Sequence, residues 1–470
     1  MRGKPVAFAL ATSLLTAVAS SVDLTVHAGQ EQAHELRQLR EDGCRYEPHK
    51  TGYVSLPNRI DAHYFYWYFE SRNDPSSDPL LVWIPAGPGE GSAYGLLVEN
   101  GPCSLNSDRS TTYNPFSWTT SANVVWIDAP VNSGFSYSTA AEDDELTEER
   151  VAESVYGFLQ EFFKEHVALQ GREVYLVGES YGARFALSAA HYIWKQQHRH
   201  RVAPASRKSV PINLQGIALG NGLINPVEIA AHYVDMAANR YNIDLVDAAQ
   251  LESMQMTVDQ CRGLLEKCQK DASACEEAGN FCNLSQLLPL LEARRNPYDI
   301  RQECESSVSD ATACLLRTPD VKWYMDRPAV RGYIGAHDNI GEWTSLNDTI
   351  NGAYFGEPSY AGYQSMDTEV SELLEAGLRV LMYAGDADIF CSSYGIEATA
   401  TKLHWSGAAG FNDTKSRPYT TASPTVTAGT VRSFSHLTYL EVYNAGHTVP
   451  ADQPEVALDM ITRFIRNEAF

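Results

Sequence analysis

A serine hydroxyl attacks a carbonyl only when a base can take its proton and a third group orients that base. This chain offers residues for all three roles, in the order serine, acid, histidine. Ser180 stands in Gly178-Glu179-Ser180-Tyr181-Gly182, after the apolar run Val174–Val177 and before the amphipathic stretch from Ala183 to Tyr192. That pattern predicts a strand, a sharp turn and a helix, with Ser180 at the apex and glycines on both sides to let the strained turn close. The hydroxyl would also sit at a helix N-terminus, where partial positive charge favours a developing anion. Two candidate acids, Asp386 and Asp388, follow an apolar strand in Tyr383-Ala384-Gly385-Asp386-Ala387-Asp388. His447 follows the next strand in Tyr443-Asn444-Ala445-Gly446-His447-Thr448-Val449-Pro450. A lone loop histidine is ordinarily a surface residue; this one lies downstream of both an elbow and an acid loop.

Positioning these groups requires a sheet. From Gly52 to about Asn225 strand and helix patterns alternate: strands at Ala62–Phe69, Leu80–Ile84, Asn123–Asp128, Val174–Val177 and Gly216–Leu219, helices at Glu149–Glu165 and Ala183–Gln196. Such alternation predicts a mostly parallel sheet covered on both faces, with antiparallel opening strands. With the order of the three residues it predicts an α/β-hydrolase fold. From Pro226 to Asp320 the sequence turns helix-rich and takes in the clustered cysteines, the composition of an inserted cap. Strand signals resume at Arg379–Tyr383 and Leu437–Val442, and a closing helix spans Glu455–Arg466. The expected organisation is a first core part at 44–225, a helical cap at 226–320 and a second core part at 321–470.

Arg2 and Lys4, the apolar stretch from Val6 to Val18, and the small residues Ala17, Ala19 and Ser20 predict a secretory signal over residues 1–20. Residues 21–43 would be an N-terminal arm or a short pro-segment. No later segment reads as a membrane anchor. Sequons at Asn283, Asn347 and Asn412 fit an extracytoplasmic, glycosylated protein, secreted or alternatively vacuolar. The net charge of −23 over 470 residues disfavours nucleic acid and anionic membranes as partners. The basic stretch from Lys195 to Lys208 lacks the interleaved aromatics that stack on bases and reads as a solvated loop. Nine cysteines leave at least one thiol without an intrachain partner. Cys261, Cys268, Cys275 and Cys282 recur every seven residues without the tight pairs typical of zinc sites, so disulfides are expected and no metal. The expected pairs are Cys261–Cys282, Cys268–Cys275 and Cys304–Cys314, with Cys44–Cys103 a further candidate and Cys391 left over. No cofactor is implied, and a monomer or homodimer is expected.

Beyond the elbow, acid and histidine loops, the chain resembles the serine carboxypeptidases, in particular the fungal, carboxypeptidase Y-like ones. The resemblance runs from about Thr51 to the C-terminus and includes Phe69-Glu70-Ser71-Arg72-Asn73-Asp74-Pro75, Asn114-Pro115-Phe116-Ser117-Trp118, Gly134-Phe135-Ser136-Tyr137-Ser138, Gly220-Asn221-Gly222-Leu223 and Tyr298-Asp299-Ile300-Arg301. It implies release of C-terminal amino acids from peptides at acidic pH, with Ser180 as nucleophile, His447 as base and Asp388, rather than Asp386, as the orienting acid. It implies an oxyanion hole from the backbone N–H groups of Gly87 and Tyr181. It assigns recognition of the substrate carboxylate to Glu99 and Glu179, one of which keeps a proton because two adjacent carboxyls resist joint ionisation. Cys391 would be a free, mercurial-sensitive thiol beside the site; its loop from Asp388, with Tyr181, would border the pocket for the penultimate residue, and Thr448 that for the leaving residue.

The family pattern W-x-N-G-G-P-G-C-S-S is broken here as Trp83-Ile84-Pro85-Ala86-Gly87-Pro88-Gly89-Glu90-Gly91-Ser92. Pro85 stands where an asparagine would donate to the substrate carboxylate, and proline has no donor to offer. Losing one such bond costs about 1.5–3 kcal/mol. Glu90 replaces the loop cysteine, and the usual partner region around His337 to Trp343 has no cysteine either, so a whole disulfide is absent. Arg184 follows the elbow where the family shows histidine; it would put a cation near the pocket or face solvent. These departures keep open an esterase or acyltransferase on the same scaffold, while intact Ser180, Asp388 and His447 speak against a non-enzymatic binding protein.

Overall fold

The computed structural model describes Cys44 and residues 47–202, 209–315, 317–337, 340–356, 359–421 and 426–470. The expected signal at 1–20, the arm at 21–43 and part of the basic stretch ending at Lys208 lie outside them. The main sheet consists of β1 (His49–Ser55), β2 (Ala62–Phe69), β3 (Leu80–Ile84), β4 (Asn123–Ile127), β5 (Tyr137–Ser138), β6 (Glu173–Glu179), β7 (Asn213–Gly220), β8 (Arg379–Gly385), β9 (Arg417–Thr420), β10 (Thr427–Phe434) and β11 (Leu437–Val442). Their order is β1-β2-β4-β3-β6-β7-β8-β11-β10-β9, with β5 on β2. The six strands from β4 to β11 in that order run parallel, and antiparallel strands flank them on both sides.

Every residue of β3 and β4 is buried, as expected of parallel strands covered on both faces. The period of two is plain in β2. Tyr64, Tyr66 and Tyr68 join the core packed under helices Glu148–Glu165 and Gly182–Val202, while Phe65, Trp67 and Phe69 join the core under helix Pro454–Arg466. Thr147 caps the first of these helices by accepting from the Arg150 amide. The α/β-hydrolase architecture expected from the sequence is therefore present. Strands β1, β5, β9 and β10 were not foreseen.

Between β7 and β8 the described chain adds no strand to this sheet. Helices Pro226–Ala231, Ala248–Cys268 and Cys275–Cys282 begin a separate layer with its own core, in which Val227, Met236, Leu265 and Ile300 pack with Ala387 and Ile389 of the acid loop. Disulfides Cys261–Cys282 and Cys268–Cys275 staple two of those helices, and Cys304–Cys314 closes the hairpin that follows. Cys44 is bonded to Cys103, and Cys391 is free and buried.

Candidate active site

Strand β6 runs straight into the elbow. Ser180 takes a left-handed φ of 55°, and its amide donates to the Gly220 carbonyl at 2.9 Å. A Cβ on Gly178 would collide with the Gly182 carbonyl, and one on Gly182 with the Pro85 carbonyl, so both glycines are required by close backbone approach. The turn leaves Ser180 half-buried on the wall of a cavity of about 750 Å³ that His447, Cys391 and Thr448 also line.

His447 and Asp388 meet across two loops. The Nδ1–H of His447 donates to Asp388 Oδ2 at 2.6 Å, with both side chains buried. A carboxylate can only accept here, which places the proton on Nδ1 and leaves Nε2 as the acceptor. The same Oδ2 accepts from Asn221 Nδ2 at 2.8 Å and from the Cys391 amide at 3.2 Å. The His447 amide donates to the Tyr298 carbonyl at 2.7 Å, and the Tyr298 ring packs edge-on against the imidazole with centroids 5.2 Å apart. Asp386 faces the other way: it pairs with Arg240 at 3.1 Å and accepts from the Tyr241 hydroxyl. The two aspartates of the loop are thus separated, one toward the histidine and one toward the cap.

The carboxyls behind Ser180 are buried together. Glu179 is the last residue of β6, and Glu99 lies in the helical turn Gly95–Asn100. Burial first, then the neighbouring Glu99, hold the Glu179 carboxyl well above its ordinary range; it donates the shared hydrogen bond to Glu99, itself pushed up by burial to about 7. In the loop of residues 85–92, Gly87 has φ 109°, where a side chain would press on the amides of Gly89 and Glu90. Among the described residues the amides of Gly87 and Tyr181 donate to no backbone carbonyl. Backbone bonds hold this loop where the family disulfide is missing: Gly91 N to Ser345 O at 3.2 Å, and Asn347 N to Gly89 O at 2.9 Å. An isolated antiparallel bridge joins Gly134 to Thr344 next to it.

Arg184 neither faces the pocket nor reaches solvent. It is buried, with Nε donating to Glu148 at 2.8 Å and its remaining nitrogens to the carbonyls of Leu223, Ala361 and Gln364. Tyr181 donates its hydroxyl to the same Glu148 oxygen at 2.7 Å, so the residue beside Ser180 is anchored through this hub. Burial and the nearby Asp388 hold the Cys391 thiol well above its usual range. Among the sequons, Asn283 and Asn412 are exposed, whereas Asn347 is half-buried; its carboxamide caps helix Asp348–Phe355 and donates to the Asn132 carbonyl at 3.0 Å. Three contributors had no assigned role in the sequence: Asn221, the Arg184–Glu148 pair, and Arg301. Arg301 bridges Asp299 and Asp452, and Asp452 accepts from the Gly446 amide at 2.6 Å beside the histidine. A helix-facing arginine and a glycine-flanked asparagine after a strand were the visible signals.

Fold and site together define an α/β-hydrolase with a serine at its nucleophile position. The family profile described as serine carboxypeptidase matches residues 43–467, and the chain belongs to that family. It is similar to carboxypeptidase Y of Candida albicans, 34% identical over 422 residues covering 89% of this chain and 73% of that protein. Carboxypeptidase Y of Saccharomyces cerevisiae is likewise 34% identical over 422 residues, 88% of this chain and 75% of the other. Among solved structures, the fold matches Kex1(Δ)p, a prohormone-processing carboxypeptidase from Saccharomyces cerevisiae, with a TM-score of 0.76 at 24% identity, covering 91% of this chain and 94% of that one. The protein is a serine-type carboxypeptidase, a hydrolase.

Proposed function

We propose that the enzyme releases the last residue of peptides through an acyl-enzyme on Ser180, with Asp388 orienting His447. His447 Nε2 takes the proton of the Ser180 hydroxyl as its oxygen attacks the final peptide carbonyl, and the amides of Gly87 and Tyr181, free of backbone partners, receive the oxyanion. His447 then returns the proton to the departing amine, and water, activated by the same histidine, frees the shortened peptide. The observation that carries the exopeptidase reading is the buried glutamate pair beside the nucleophile. A proton held between Glu99 and Glu179 can donate to a substrate carboxylate, which an internal peptide bond does not offer. The segment 226–320 acts as a cap between core parts 44–225 and 321–470; Leu265, Cys282 and Leu287 reach the cavity wall from it. Four disulfides fit a secreted or vacuolar destination.

The test is hydrolysis of N-blocked dipeptides from pH 4 to 9, with matched C-terminal amides and esters and Ser180→Ala as the blank. Glu99 can donate to the substrate carboxylate only while it carries its own proton, so peptidase activity is expected at acidic pH and should fall as pH rises above about 7, where Glu99 ionises and repels that carboxylate although Glu179 keeps its proton. Release from the amide should be much slower. Ester turnover with no preference for a free carboxylate would transfer the reading to acyl transfer, the outcome Pro85 makes worth measuring.

A further inference from the structure

The oxyanion loop carries one acid that the mechanism leaves idle. Glu90 lines the catalytic cavity with Tyr94, Tyr298 and Thr448, and its backbone is bridged to Leu346. Among the described residues its carboxyl has neither a hydrogen-bond partner nor a cation. Burial first, and Glu99 next, push it up to about 8. It shares that cavity lining with Glu179 and with Tyr298, whose ring packs on His447. Glu90, Glu179 and Asp348 line the cavity, whereas no described lysine or arginine does. Glu90 is half-buried on the cavity wall, where a carboxylate without a cation is costly, and whatever binds beside it decides whether it ionises.

We propose that Glu90 reads the side chain of the residue to be released and selects a cationic one, lysine or arginine. This rests on the reading of the cavity as the seat of a peptide C-terminus. With the terminal carboxylate at Glu99 and Glu179 and the scissile bond at Ser180, the leaving side chain extends along the wall formed by Tyr94, Glu90, Tyr298 and Thr448. A bound ammonium or guanidinium supplies the missing countercharge, draws the Glu90 proton off and forms a charge-assisted hydrogen bond in a desolvated site. A neutral side chain leaves Glu90 protonated and gains no such bond.

Calorimetric binding to Ser180→Ala protein, which cannot turn substrate over, separates the possibilities. The probes are N-blocked dipeptides ending in lysine or norleucine, each as free acid and as amide, titrated at pH 6.5. The lysine peptide is expected to bind about tenfold or more tightly than the norleucine peptide, and Glu90→Gln should bring the two within about twofold. No lysine preference, or a preference that survives Glu90→Gln, overturns the proposal. So does a Glu90→Gln effect equal on both peptides, which would make Glu90 a donor to the terminal carboxylate in place of the side chain lost at Pro85. Amides binding as well as acids would instead defeat the carboxypeptidase reading while the lysine-to-norleucine ratio still judges Glu90. If Glu90→Gln does not fold, the ratio in Ser180→Ala protein from pH 5 to 8 decides. It should climb as Glu90, facing Glu99, Glu179, Asp348, Tyr94, Tyr298 and His447, ionises; a flat ratio overturns the proposal.

Discussion

Asn221 does for the acid what the acid does for the histidine. Its Nδ2 donates to Asp388 Oδ2 while its Oδ1 accepts from the Gly385 amide at 3.2 Å, so one carboxamide ties the end of β7 to the end of β8. Asp388 Oδ1 is buried with no partner, which leaves Oδ2 to take every bond that fixes the carboxylate. Removing the amide in Asn221→Ala should cost about 1.5–3 kcal/mol of that orientation, roughly a tenfold to hundredfold loss. The loss is expected in kcat for N-blocked dipeptides, with KM little changed, because Asn221 touches Asp388 and not the substrate. A change confined to KM would remove Asn221 from the catalytic alignment.

Among the elements, the elbow helix Gly182–Val202 depends on one buried ion pair. Arg184 and Glu148 join it to helix Glu148–Glu165 and to the turn at Ala361–Tyr363 below the cap. Breaking one side of such a pair strands a charge in the interior. Arg184→Met should therefore lower stability by about 3–5 kcal/mol, and the double variant with Glu148→Leu should recover much of it, read from urea unfolding followed by tryptophan fluorescence. Equal costs for single and double variants would mean that packing, not charge, sets the effect. Sequence alone could not choose between pocket and solvent for Arg184, because the carbonyls that receive it belong to residues about 40 and 180 positions away. The elements that were legible, β2, β3, β4, β6, β7, β8 and β11, are largely buried and announce themselves as apolar runs. Strand β10, Thr427–Phe434, is only partly buried and carries Gly429, Thr430, Arg432 and Ser433, so no such run marks it. The elbow, acid and histidine loops were legible because their glycines and polar residues sit at strand ends; the partners that hold them were not, because those contacts are tertiary.

For the whole molecule, the acids held above their ordinary range set the sign of the pH dependence. Burial raises Asp128 to about 6, Glu99 to about 7 and Glu90 to about 8. Each binds its proton more tightly folded than unfolded, so the stability it contributes is complete below about pH 4 and is lost as pH rises through those values. His232, raised to about 9 mainly by Asp235, adds in the same direction: its contribution is complete below about 6.5 and lost through 9. His166, held down by burial to about 4, acts the other way only below about 6.5, so the thermal midpoint should fall between pH 6.5 and pH 9, and a scanning-calorimetry series that rises over that range would contradict this electrostatic picture. The same molecule divides its architecture between permanent and reversible joints. The cap is riveted by disulfides, but the loop of residues 85–92 is held by backbone bonds to Ser345 and Asn347. That loop forms without an oxidant and can re-form after a thermal excursion, whereas a reductant reaches the site through the cap, whose core includes Ala387 and Ile389 of the acid loop.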